Sequence, residues 1–373
     1  MVKNDRVLGI IFPNMHDEFI RELTELRTTA SVPFGGRYRL IDFTLSEMVA
    51  AGVEDVAMVV KRNYVSLMDH LGSGKEFDLA RKRGGLKIFP PFAEAWTESY
   101  KGKIQALNNV LKYIEDSTAD TVILSDAGLV SSIDYSDVLS KHWESGAQIT
   151  ALYKKEQIDE SLVDDNVVFE IDADDNITDV FINEGLGKTV NNGLWAYVIE
   201  KKLLVDFVKD SIKKGEIDFE RDILQRKMDG IVFKGYEYKG YLRRISSLKS
   251  YFEANLDLTN RESMQRLFSG HPVYTKIRDD APTRYTQGSQ VNNVVAADGC
   301  FIEGYVYNSV LFRGVRIGKG AVVTNCVLMQ DTVVEDGATL ENVICDKNVV
   351  IRRDKRLVGD PSFPVYVPKD GEI

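Results

Sequence analysis

The 373 residues include only four histidines, three cysteines and nine prolines. The histidines stand far apart with no metal-ligand spacing, so no structural metal site is expected. Cys300, Cys326 and Cys345 all fall in the C-terminal region. An odd set without close pairing excludes a disulfide framework and is expected to be reduced and buried, as in a cytoplasmic protein. No run reaches the roughly 18 apolar residues of a membrane span, and Met1–Arg6 carries no apolar signal region. Positive charge is also short: 47 Lys and Arg stand against 57 Asp and Glu, a formal net charge of -10. A nucleic-acid or anionic-membrane partner needs a broad basic face, so neither is expected. What is present is ordinary for a water-soluble chain, 44% hydrophobic and 28% charged, and long enough for about two domains.

One more scarcity is local. Val7–Phe12 is an apolar run suited to a buried parallel strand. After it an α/β nucleotide-binding protein would place a glycine-rich turn. Here the residues are Pro13-Asn14-Met15-His16-Asp17-Glu18-Phe19, with no glycine and two acids. Glycine lets backbone N–H groups approach a polyphosphate closely. Side chains and negative charge at the same place are expected to obstruct and repel it.

Strand patterns at Val7–Phe12, Asp55–Val60, Thr121–Leu124, Ala147–Tyr153 and Trp195–Ile199 alternate with helix patterns at Leu45–Ala51, Ile104–Glu115 and Tyr135–Ser145. This alternation predicts an α/β fold with a mostly parallel, doubly wound sheet, whose chemistry lies in loops beyond the C-terminal strand ends. From about Gly288 the texture changes. Leu311, Ile317, Val323 and Met329 recur every six residues, with Val315, Ala321, Val327 and Val333 four positions later. After a one-residue slip the period resumes at Val334 and Leu340. A period of six predicts a parallel β-helix of hexapeptide repeats, because simple strand alternation has period two. The stretch between, with Gly270, Pro272, Asp279-Asp280 and Pro282, reads as a linker.

The segment Ser31–Ser46, SVPFGGRYRLIDFTLS, closely resembles the corresponding segment of the glucose-1-phosphate adenylyltransferase (ADP-glucose pyrophosphorylase) family. Weaker likeness appears at Arg83-Gly84-Gly85 with Phe89-Pro90-Pro91-Phe92, and at Asp218–Ile223. It is strong again from Gly240 to Ile245 and from Tyr251 to Leu256. The resemblance covers essentially the whole chain. It implies a Rossmann-like nucleotidyltransferase domain at 1–265, a linker at 266–287 and a left-handed parallel β-helix at 288–373. It also implies the family reaction, in which ATP and glucose 1-phosphate give ADP-glucose and pyrophosphate with Mg²⁺.

Compared position by position, the family's functional residues are missing. The glycines of its GGxGTRL loop fall on Asn14, Met15 and Asp17, and its arginine on Phe19. The following lysine and proline fall on Thr29 and Ala30. The small residue and the acid of its GTADA helix start fall on Lys103 and Gln105. The metal-binding Asp of its SGDHIY strand end falls near Asp126, with spacing to the next acid one residue too long. The second metal Asp falls on Arg244, and a guanidinium cannot coordinate Mg²⁺. The sugar-phosphate lysine falls on Glu184, and the glycine of SMGIY on Trp195. Loss of one oxyanion-type contact alone costs about 3–4 kcal/mol, or about 10²–10³ in rate.

The resemblance therefore narrows to the family's non-catalytic, regulatory subunit. That implies no cofactor of its own, with Mg²⁺ and ATP used by a catalytic partner in a hetero-oligomer, expected to be a tetramer, alongside possible self-association. An active enzyme with an atypical site is the alternative. A β-helix acyltransferase is not expected, because it would want a catalytic histidine among the coils and none lies beyond His271. Arg27, Arg37, Arg39, Arg352 and Arg353 suggest a site for a phosphorylated effector, because the Arg fork binds two phosphate oxygens. Arg244 is further expected to fill the vacant metal position and pair with Asp126 or Glu184.

Overall fold

The structure, a computed structural model, describes residues 7–91, 100–158 and 166–373. Met1–Arg6, and Phe92 of the third family-like segment, lie outside the described residues. The apolar run Val7–Phe12 forms a fully buried strand with the bounds read from its sequence. It pairs in parallel with Asp55–Val59 on one side and Thr121–Asp126 on the other, and Gly85–Phe89 continues the parallel set. Beyond Thr121–Asp126 the long strand Thr189–Glu200 runs antiparallel and joins Ile149–Gln157 and Val167–Ile171, and Phe233–Glu237 and Ile177–Ile182 add to these two to complete a nine-stranded sheet. The helix expected over Ile104–Glu115 is two helices, Lys103–Asn109 and Leu111–Asp116, broken at β-branched Val110 (φ -113°, ψ 10°). Among the described residues no helix is long and apolar enough to cross a membrane.

The retained segment Ser31–Ser46 is scaffold. Pro33–Phe34 and Tyr38–Arg39 form a hairpin whose turn needs left-handed backbone at Gly35 (φ 59°) and Gly36 (φ 84°), which glycine adopts without a Cβ clash. Gly35 N–H donates to Asn255 Oδ1 at 2.9 Å, and the Tyr251 hydroxyl donates to the Pro33 carbonyl at 2.7 Å. The two strongest family-like segments are thus each other's packing partners.

The stretch read as a linker begins inside a helix, Arg261–Phe268, capped by Asn260, whose side chain accepts from Glu262 N and Ser263 N. It ends inside the β-helix, since Arg284–Tyr285 already pairs with Phe301–Ile302. The β-helix stacks three parallel faces, and its turns repeat at 17 residues, as in the Asn308–Asn325 and Asn325–Asn342 contacts. Three hexads less one residue make a turn, which is the physical reason for the slip in the six-residue period. Asn293, Asn308, Asn325 and Asn342 stack at one corner with φ of 55°, 44°, 49° and 53°. Asparagine tolerates this left-handed backbone, and the side-chain amides bond along the stack at 2.8, 2.6 and 3.3 Å. Cys300, Cys326 and Cys345 are free and buried in this domain, and burial pushes the Cys326 thiol up to about 12. One apolar cluster joins the two domains, with Phe34, Phe43, Tyr251 and Phe252 packed with Val310, Phe312, Met329 and Ile344.

Candidate functional site

Phe12 and Asp126 stand opposite each other at the C-terminal ends of paired parallel strands. The turn after the first strand and the carboxylate ending the second therefore meet where α/β sheets bind ligands. Asp126 is only 1% exposed. Its Oδ2 lies 2.9 Å from Lys103 Nζ and 2.9 Å from His16 Nε2. Lys103 Nζ also donates to Glu220 Oε1 at 2.5 Å, which accepts from the Tyr197 hydroxyl at 3.2 Å. Burial is the largest influence on Lys103 and works against its charge, but Asp126 and Glu220 together outweigh it and hold the ammonium above the usual lysine range. Burial likewise opposes the Asp126 charge, and Lys103 and then His16 overcome it, leaving the carboxyl below its usual range.

Above this cluster the His16 ring stacks on Trp195, with centroids 4.2 Å apart. On Trp195 sits the Arg244 guanidinium, 4.8 Å from the ring centroid. Trp195 has φ 49° at a register shift of its strand. The left-handed conformation that a glycine would adopt freely is kept with an indole attached, a strain of order 1–3 kcal/mol. Packing between His16 and Arg244 offsets it. Arg244, His16 and Lys103 thus place three basic side chains, with an indole between them, beyond the C-terminal ends of the paired strands. The cavity left beside Lys103, Asp126, Asn183 and Trp195 measures about 230 Å³.

The glycine-free turn is held from within. Asp17 is buried, and its Oδ1 accepts from both the backbone N–H and the hydroxyl of Thr29 at 2.8 Å, while its Oδ2 accepts from Asn14 at 2.8 Å. Asn14 Oδ1 in turn accepts from Lys61 N at 2.9 Å. Three altered positions, Asn14, Asp17 and Thr29, therefore form one network. Burial raises the Asp17 carboxyl above its usual range despite these bonds. Glu18 is exposed and paired with Arg62 at 2.7 Å and Arg21 at 2.8 Å. The expectation that two acids here act by repulsion is corrected: Asp17 obstructs as a bracket, and Glu18 is balanced by arginines. Met15 lines the cavity, and Phe19 is 38% exposed.

A magnesium ion implied by the family does not fit these residues. At one expected ligand position Asp126 already holds an ammonium, and at the other stands Arg244; Mg²⁺ needs oxygen donors in near-octahedral array. Among the described residues no group of three or more His, Cys, Asp or Glu side chains is placed to hold a metal. The expected partner of Arg244 is also corrected. Its guanidinium donates to Glu156 Oε1 at 3.0 Å and to the Gly193 carbonyl at 2.8 Å. The cation on Asp126 is Lys103. Glu184 stays on the exposed rim, with its backbone N–H donating to Asn166 Oδ1 at 3.0 Å.

The five arginines proposed for an effector divide into three places. Arg27 is buried and forms a two-pronged pair with Asp346 of the β-helix at 2.9 and 2.8 Å. Arg352 pairs with Glu335 at 2.8 Å and Glu372 at 2.6 Å, and Arg353 with Asp336 at 3.0 Å, all on the exposed side of the β-helix. Arg37 and Arg39 alone meet at a cavity. It measures about 220 Å³, lies between the domains and is lined also by Lys276, Arg278, Arg313 and Lys347. Carboxylates offset several of these cations: Asp69 pairs with Lys276 at 3.1 Å, Asp280 with Arg278 at 3.4 Å and with Arg313 at 3.9 Å, while Asp42 acts on Arg39 and Asp346 on Lys347. Burial, then Arg39 and Arg27, push the Lys347 amine down to about 8, and burial pushes Arg39 to about 10. Six positive groups are thus kept together around one partly buried cavity.

Sequence reasoning read Lys103, His16 and Glu220 only as members of family-aligned segments, and missed Glu156 in the first site and Lys276, Arg278, Arg313 and Lys347 in the second. The signal for the first pair was available. Lys103 and Glu220 both sit in family-like segments, but 117 residues separate them.

The "Nucleotidyl transferase" family profile matches residues 20–261, and the "GlmU-like, C-terminal hexapeptide" profile matches residues 276–362. The glycogen biosynthesis protein GlgD of Bacillus subtilis (strain 168) is 32% identical over 98% of this chain and 96% of its own length. The GlgD protein of Geobacillus stearothermophilus is 36% identical over 86% of this chain and 83% of its own. A glucose-1-phosphate adenylyltransferase of Pseudothermotoga lettingae is 31% identical over 85% of this chain and 76% of its own.

Proposed function

The chain belongs to the nucleotidyl transferase family, in its glucose-1-phosphate adenylyltransferase and GlgD branch of glycogen biosynthesis, and from that premise we propose that it is a non-catalytic, regulatory subunit. It assembles with a catalytic paralogue, as a hetero-oligomer and most simply a tetramer, and tunes that partner's synthesis of ADP-glucose. Mg²⁺ and ATP serve the partner. The observation that carries this reading is the filled site: Lys103 on Asp126, His16 on Trp195 and Arg244 across the indole. Each fills a place that substrate or metal would need. A subunit of this kind acts by binding one state of its partner more tightly than another.

The test is an assay of the purified chain alone and then mixed with a catalytic paralogue from the same cell. The expected result is no ADP-glucose above blank alone, and a changed rate or effector response of the partner on mixing. ADP-glucose formation by the isolated chain, abolished in Asp126→Ala, overturns the proposal in favour of an active enzyme with an atypical site.

The basic cavity of Arg37, Arg39, Lys276, Arg278, Arg313 and Lys347 supports a phosphorylated metabolite as effector. Inorganic phosphate is expected to raise the melting temperature of the free chain, because a ligand bound only by the folded state stabilises by about 2.7 kcal/mol at a hundred times its dissociation constant. Lys347→Gln is expected to weaken that shift at least about tenfold in midpoint concentration, as loss of a charge-assisted contact does. An equal phosphate shift in the variant would remove the cavity from the effector reading.

A further inference from the structure

We infer that the Lys103 ammonium is the pocket's own counter-cation, seated between Asp126 and Glu220 so that the pocket refuses a divalent metal. The inference rests on the non-catalytic reading and gives its physical cause. Lys103 opens the helix Lys103–Asn109. Its place is fixed by close docking of that helix start. A Cβ on Gly102 would lie 2.2 Å from the Ile217 carbonyl oxygen, and Ile104 N–H donates to the same oxygen at 3.2 Å. The segment after Ile217 carries Glu220. One backbone contact therefore brings the amine and its second carboxylate together.

The seat is lined by two carboxylates and two aromatic rings, with His16 Nε2 sharing the Asp126 oxygen at 2.9 Å. Nζ lies 2.9 Å from Asp126 and 2.5 Å from Glu220, and 6.0 Å from the ring centroids of both Phe12 and Tyr197. Lys103 is 7% exposed, so its charge is committed to these groups rather than to water. An ammonium presents three donors and no acceptor. A divalent ion bound to Asp126 would stand against it at contact distance, and like charges so close and so buried exclude one another. Without the amine, two buried carboxylates face a common point, and a hard cation is the partner such oxygens take.

The experiment is titration of Mn²⁺ into the full-length chain, followed by the loss of its free electron paramagnetic resonance signal. The expected result is no saturable site in the wild type or in Lys103→Arg. Lys103→Thr and Lys103→Ala should each gain one site at least about tenfold tighter than any wild-type binding, and Asp126→Asn should erase it. Wild-type binding that Asp126→Asn removes overturns the inference. So does a folded Lys103→Thr chain with no gained site, or a chain with that substitution that neither folds nor is rescued by Mn²⁺. No partner and no ADP-glucose enter the measurement, so failure of the regulatory reading shows in the mixing assay and leaves this result standing.

Discussion

Arg27→Ala is expected to lower the stability of the chain by about 3–5 kcal/mol, the range for breaking a buried ion pair from one side. Arg27 is 4% exposed and Asp346 is 1% exposed. Truncation leaves Asp346 with two remaining donors, the Tyr366 hydroxyl at 2.8 Å and Lys347 N at 2.7 Å. Neither carries charge, so a carboxylate is stranded in the interface between domains. The cost arises from that stranded charge more than from the pair's own attraction. Arg27→Met with Asp346→Leu should therefore be less harmful than Arg27→Ala alone. Chemical denaturation with both variants checks it, and a double variant as unstable as the sum of its singles would count against the argument. The result bears on function. Loss of effector response in Arg27→Ala follows from a loosened joint between the domains, whereas loss in Lys347→Gln with unchanged stability points to the anion seat itself.

The scaffold was legible in the sequence because it is carried by local patterns. Val7–Phe12 is apolar throughout and could only be a buried strand, and its bounds match. The six-residue period predicted a β-helix, and its slip already contained the 17-residue turn. The filled site was only half legible. Aligning the chain to a family pattern showed that Trp195 and Arg244 stand where a glycine and a carboxylate would. It could not show that Trp195 keeps the glycine's left-handed backbone, nor that Arg244 turns to Glu156. Charge partners are set by tertiary distance, and no periodicity encodes them. Asp17 and Thr29 make the same point: read singly, one is an added charge and the other a lost one, but folded together Asp17 accepts the hydrogen bond that Thr29 donates. Arg27 was misplaced for a related reason. An arginine in a phosphate-binding region reads as a ligand contact until its buried carboxylate is seen.

Stability from pH 4.5 to 6.5 is expected to be nearly flat with respect to two buried groups, because their effects oppose one another. Glu47 accepts from the Ser131 hydroxyl at 2.7 Å and from Ile133 N at 2.8 Å, yet burial dominates and raises its carboxyl to about 7. In its window the folded chain holds a proton that the unfolded chain has released, so its contribution is full below 4.5 and is lost as pH rises through about 7. His142, beside the Thr150 hydroxyl at 2.8 Å, has its imidazole lowered by burial to about 4. Here the unfolded chain holds the extra proton, so stability rises as pH climbs from about 4 to 6.5. At 1.36 kcal/mol per pKa unit, each effect is about 3 kcal/mol. Glu47→Gln removes one side of the balance, and unfolding free energy should then climb by about 3 kcal/mol between pH 4 and 7. His142→Asn removes the other and should make it fall by a similar amount over the same range. Denaturant unfolding of the two variants and the wild type at a series of pH values measures both slopes. Two variants with slopes of the same sign would mean that at least one of these groups titrates near its ordinary value despite its burial.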